Sequence, residues 1–140
     1  MIRMLDHTAD VGFEIEAPAL GSLFDEARRA LLLTMFERPP EKGERELPLR
    51  LSAPDLETLL VRWINELVYL IQDTEFIPVR AAIRIQEAGT EAFFLEALLT
   101  GAPVLLEDYG WQGEIKSATF HGLAVIPKGE GWRAQVILDV

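Results

Sequence analysis

The chain has 140 residues, 49% of them apolar, which suits a single domain over residues 1–140 with one packed core and argues against disorder. It carries 23 acidic and 13 basic residues for a net charge of -10, so direct charge-driven binding to nucleic acid is not expected, whereas a cationic partner or a metal ion is. With no cysteine there are no disulfides, thiolate zinc sites or cysteine nucleophiles, and a cytoplasmic protein is expected.

Met1 to Asp6 lacks the long apolar core of a signal peptide. From Asp10 to Glu16 the residues alternate, with Val11, Phe13 and Ile15 on one face and Asp10, Gly12, Glu14 and Glu16 on the other. This predicts a half-buried strand. Ser22 followed by Asp25 resembles a capping box, so a helix is expected from there to about Phe36, ended by Pro39 and Pro40. Leu47, Leu49 and Leu51 alternate as a second strand. Ser52 and Asp55, with Pro54 in the first turn, then open a helix that runs to about Gln72. Its apolar positions cover most of the circumference, which predicts a central buried helix. Even this densest stretch carries Arg62, Asn65 and Glu66, so no membrane span is expected.

Beyond Val79 the signals are β. Val79 to Glu87 and Ala92 to Thr100 flank a hairpin-like break. Gly101 to Gly113 reads as an irregular loop holding Tyr109 and Trp111, either lids on the core or exposed anchors, with lids preferred. Ser117 to Ile126 and Trp132 to Val140 flank Lys128-Gly129-Glu130-Gly131, a hairpin turn. In the last run Trp132, Ala134, Val136, Leu138 and Val140 share a face, opposite Arg133, Gln135, Ile137 and Asp139. The order of elements favours an α+β fold, two helices packed on mainly antiparallel sheets, over a doubly wound parallel sheet.

Asp10 starts one strand and Asp139 ends another, both on polar faces. Taken alone, such aspartates are commonly turn or solvated residues. If the two strands pair, the carboxylates meet beside a backbone or terminal oxygen of Val140. Oxygen-only ligation suits Ca²⁺, Mg²⁺ or Mn²⁺ rather than Zn²⁺. Asp6 is a possible fourth ligand or a turn cap. His7 and His121 are by default structural; Gly122 after His121 marks a bulge or a close approach of backbone. Ser117 and His121 stand four apart on a strand, about 13 Å, and no G-x-S-x-G elbow exists, so a hydrolase triad is rejected. Lys116, one of three lysines, opens the strand leading to His121. No glycine-rich nucleotide motif is present.

Four segments together resemble the archease family: Leu5-Asp6-His7-Thr8-Ala9-Asp10-Val11-Gly12, the central Leu60-Val61-Arg62-Trp63-Ile64-Asn65-Glu66-Leu67, Lys116-Ser117-Ala118-Thr119-Phe120-His121-Gly122-Leu123, and Val136-Ile137-Leu138-Asp139-Val140. They lie in order over nearly the whole chain. The resemblance implies a small α+β sandwich and an accessory factor of tRNA splicing, without catalytic activity of its own. The implied partner is the metal-dependent RNA ligase that joins 2′,3′-cyclic phosphate or 3′-phosphate ends to 5′-hydroxyl ends. Archease is expected to promote guanylylation of that ligase's active-site histidine and its repeated turnover. The implied metal site comprises Asp10, Asp139 and the backbone of Val140, with Ca²⁺ as first choice and Mg²⁺ or Mn²⁺ as alternatives. Lys116 is the implied functional lysine, and Asp6, His7 and His121 join it as expected partner-contact residues. Ser117 stands where alanine is more usual, and Phe120 where tyrosine is common, so the hydroxyl at position 120 is missing. The competing expectation is a chaperone-like protein-binding module that works through apolar surface around Trp111 and Phe93-Phe94, with a purely structural metal.

Overall fold

The computed structural model describes residues 1–6, 11–89, 92–104 and 106–140. Its elements run β1 (Ile2–Asp6), β2 (Val11–Ala17), α1 (Leu20–Met35), β3 (Arg45–Ala53), α2 (Leu56–Asp73), β4 (Phe76–Glu87), β5 (Phe93–Pro103), the single turn α3 (Leu106–Tyr109), β6 (Ser117–Lys128) and β7 (Gly131–Asp139). Two antiparallel sheets result, one ordered β1-β2-β7-β6 and the other β3-β5-β4. Both long helices pack against both sheets. The expected α+β arrangement of two helices on antiparallel sheets is therefore the one observed.

The helix α2 explains its own position. Asp55 is the N-cap and accepts a hydrogen bond from the Thr58 N–H at 2.7 Å, so the first turn has a partner for one of its free donors. Leu59, Leu60, Val61, Trp63, Ile64, Leu67, Val68, Leu70 and Ile71 are buried, an arc too wide for one sheet alone to cover. The Trp63 indole N–H donates to the Phe24 carbonyl at 2.9 Å and joins the helices inside the core. Arg28 of α1 is the one buried charged residue among the described residues. Its guanidinium reaches Asp25 at 2.8 Å and the carbonyls of Pro78 and Val79 at 3.1 and 2.9 Å, tying α1 to β4.

Several expectations need correction. The strand β1 was not foreseen; it pairs with β2 from Ile2↔Ile15 to Asp6↔Val11. Helix α1 is capped at Ala19, not Ser22. Ser22 lies one turn in, where its hydroxyl accepts from the Ala19 N–H at 3.1 Å and donates to the Ala19 carbonyl at 2.9 Å, while Asp25 pairs with Arg28. Pro54 precedes the Asp55 cap of α2 instead of entering its first turn. The strand β5 continues to Pro103, inside the stretch read as irregular loop. Tyr109 and Trp111 are lids: both sit edge-on to the buried Phe36, with ring centroids 6.2 and 5.4 Å away.

Candidate functional site at one end of the four-stranded sheet

The ladder of the four-stranded sheet forms a row across all its strands at one end. Asp6 pairs with Val11, Val11 with Leu138, and Leu138 with Ala118. One step further along, Ser117 pairs with Asp139, and the Lys116 N–H donates to the Asp139 carbonyl at 2.8 Å. Three of the four sequence segments singled out above thus end side by side, although they come from opposite extremes of the chain. His7 and Asp10 lie outside the described residues, and Asp6 is described by its backbone register alone.

A missing side chain permits the close approach of β2 and β7. Gly12 is buried and pairs with Ile137; a Cβ there would lie 2.9 Å from the Val136 carbonyl oxygen and 2.8 Å from Ile137 Cδ1. Any larger residue would push β2 away from β7 at the site. Val136 and Leu138 face the core, so alternation turns Asp139 to the opposite face. Asp139 is half-buried and Val140 is exposed. Among the described residues no ion pair involves Asp139, and no group of three or more acidic or histidine side chains is gathered there or elsewhere. An oxygen set at this end would have to include groups outside the described residues.

Helix α2 fixes the segment that carries Lys116. Gln72 Nε2 donates to the Ile115 carbonyl at 2.8 Å, and Gln72 Oε1 accepts the Ile115 N–H at 2.8 Å. Asn65 Oδ1 accepts the Ala118 N–H at 2.7 Å. Lys116 itself is exposed, between Ile115, which Gln72 holds, and Ala118, which Asn65 holds. Sequence reasoning missed the clamp. Asn65 was visible only as a polar interruption of an apolar helix, and Gln72 as its end.

His121 is not within a regular strand. The register jumps from Thr119↔Ile137 to Ala124↔Gln135, so Phe120 to Leu123 bulge out opposite Val136 alone. His121 and Phe120 are exposed on this bulge. Gly122 adopts φ +67°, the left-handed conformation that glycine accepts without penalty, and glycine was the one signal of the bulge in the sequence. Ile137, placed among polar residues by alternation, is buried at 1% exposure. A Cβ on Gly122 would approach its Cγ1 at 3.5 Å, and one on Gly12 would meet its Cδ1.

Comparison with known proteins defines the class first. The fold matches the solution structure of a Methanobacterium thermoautotrophicum protein (TM-score 0.79, 24% identity, 99% of this chain and 98% of that one). It also matches a crystal structure from Thermotoga maritima described as an archease, possible chaperone (TM-score 0.61, 22% identity, 97% and 94%). The chain belongs to the Archease protein family, whose profile matches residues 3–140. Relatives called protein archease are 30% identical over 136 residues in Methanosarcina mazei, covering 97% of this chain and 93% of that protein, and 32% identical over 140 residues in Archaeoglobus fulgidus, covering 99% and 98%. Among the described residues no helix is long and apolar enough to cross a membrane.

Proposed function

We propose that this protein is a metal-binding, non-catalytic accessory factor of tRNA splicing. It activates the RNA ligase for 3′-phosphate and 5′-hydroxyl ends by promoting guanylylation of the ligase histidine and repeated turnover. The supporting observation is the convergence of strand ends: Val11 beside Leu138, and Lys116 bonded through its backbone to Asp139. Asp10 is one peptide unit, about 3.8 Å from Cα to Cα, before Val11. In the sequence Asp10 directly precedes Val11, the residue that pairs with Leu138, and Asp139 directly follows Leu138.

In this proposal Asp10, Asp139 and the backbone oxygen of Val140 hold one divalent cation, and hard oxygen donors favour Ca²⁺, then Mg²⁺ or Mn²⁺. The ion supplies positive charge at an otherwise anionic corner. Asp139 binds it, its carbonyl holds the Lys116 backbone, and the Lys116 ammonium contacts the partner. Phosphoryl transfer depends on positioning and charge neutralisation, which an accessory protein can improve without reacting. The test is a multiple-turnover ligation assay with the cognate ligase, after chelation and after metal add-back. Stimulation is expected to vanish in Asp10→Ala and Asp139→Ala while the circular dichroism spectrum is retained; full stimulation by both variants would refute the proposal.

The description of the Thermotoga archease as a possible chaperone favours a second reading, a general protein-binding module. Its apolar surface is reduced here, because Trp111 packs on Phe36 and Phe93 is half-buried, leaving Phe94 exposed. Suppression of aggregation of unrelated proteins, equal in wild type and Asp139→Ala, would favour this reading.

A further inference from the structure

We propose that the β6 bulge is a docking knob, in which Phe120 inserts into an apolar socket on the same protein partner that the Lys116–Asp139 end addresses. The inference rests on the ligase-activation reading and names a contact for it. Phe120 is 62% exposed, the highest value among the exposed large apolar residues described. An aromatic side chain left in water forgoes the stabilisation that burial would return. Slack in the strand does not explain it, because the bulge is a built structure. Gln135 Nε2 donates to the Gly122 carbonyl at 2.9 Å, and the Thr119 hydroxyl donates to the Ile137 carbonyl at 3.3 Å. Gly122 turns the backbone through its left-handed φ, and the buried Ile137 packs beneath. The fold therefore holds an aromatic ring outward on a braced support.

Its position relates it to the site. Phe120 lies three residues past Ser117, the partner of Asp139, roughly 10 Å along a strand. That separation falls well inside a protein interface of about 800 Å² per partner. A rigid aromatic anchor beside charged groups is the pattern that concentrates binding energy. The net charge of -10 disfavours RNA as the occupant, so a protein surface is the committed choice. The Phe120 side chain carries no polar atom, so its contact is apolar.

The experiment titrates wild type, Phe120→Ala and Phe120→Tyr into the ligation assay, with Leu98→Ala on the outer face of the other sheet as control. For Phe120→Ala the concentration giving half-maximal stimulation should rise about 10- to 100-fold at an unchanged plateau. Phe120→Tyr and Leu98→Ala should titrate like wild type, and melting temperatures should agree. Asp139→Ala, by contrast, should lower the plateau. A Phe120→Ala titration superimposable on wild type, or a loss of binding to labelled single-stranded RNA with ligase binding intact, overturns the knob. Absence of any stimulation by wild type overturns the functional reading, and the knob with it.

Discussion

Replacing Gln72 with Leu tests whether helix α2 holds the Lys116 segment in place. The substitution keeps a similar volume and removes both hydrogen bonds to Ile115. Each such bond contributes about 1 kcal/mol net, and the partly buried Ile115 N–H and carbonyl are left without partners, so a loss of about 2–3 kcal/mol follows. With 140 residues the unfolding entropy is about 0.3 kcal/mol/K near the melting point, so the melting temperature should fall by roughly 7–10 °C. Urea denaturation would give the free energy, and native-state hydrogen exchange would localise it. The Ile115 amide should lose protection first, whereas amides of β5 should change only with global stability. In the proposed function the same variant also weakens stimulation, because Lys116 follows Ile115 directly. A stability loss below about 0.5 kcal/mol, with the Ile115 amide protected as before, would refute the clamp.

Gly101→Ala should destabilise strongly, because the new Cβ would lie 2.1 Å from Cε2 of the Phe76 ring, which is itself stacked under Arg45. A loss of 1–3 kcal/mol or more is expected by thermal unfolding. Asp55→Ala should cost about 1 kcal/mol at pH 7 through loss of the α2 cap. Hydrogen bonding from Thr58, side chain ahead of backbone, holds the Asp55 carboxyl below the usual carboxylate range. Its contribution is therefore complete above the unfolded-state value and lost as pH falls through the lower folded-state value, so the gap between variant and wild type should close below about pH 4. Saturating Ca²⁺, at 100 times its dissociation constant, should add about 2.7 kcal/mol to wild-type stability and nothing to Asp139→Asn; equal thermal shifts would exclude Asp139 as a ligand.

Strong periodicity made α2 legible, although its start, read from Ser52 and Asp55 with Pro54 in the first turn, falls later, at the Asp55 cap. The β6–β7 hairpin was equally clear, because Gly129 supplies the positive φ of the turn between Lys128 and Gly131. Strand β1 escaped notice because Arg3, Met4 and Leu5 give no clean alternation; its strand state comes from pairing with β2. Alternation placed Ile137 and Asp139 on one face, and that stands. Alternation cannot say what covers a face, so the burial of Ile137 beneath a bulge was invisible. Asn65 and Gln72 were hidden for a related reason: a polar residue on an amphipathic helix looks the same in sequence whether it meets water or a strand's backbone. The closeness of the two chain extremes could be posed from sequence only as a condition, and the β2–β7 ladder meets it for Val11 and Leu138.

The pairing of β2 with β7 also dictates an order of assembly. Strands β3, β4 and β5 with α2 form a stretch that is nearly contiguous in sequence, so its contacts can close early. One edge of strand β2 pairs with the nearby β1, but its other edge waits for β7, more than a hundred residues further along, and the corner bearing Lys116 and Asp139 is finished only once Leu138 has left the ribosome. A stalled or shortened chain would leave the edge of β2 open as a template for aggregation. The corner is thus completed by the long-range pairing of β2 with β7 and not by either segment alone.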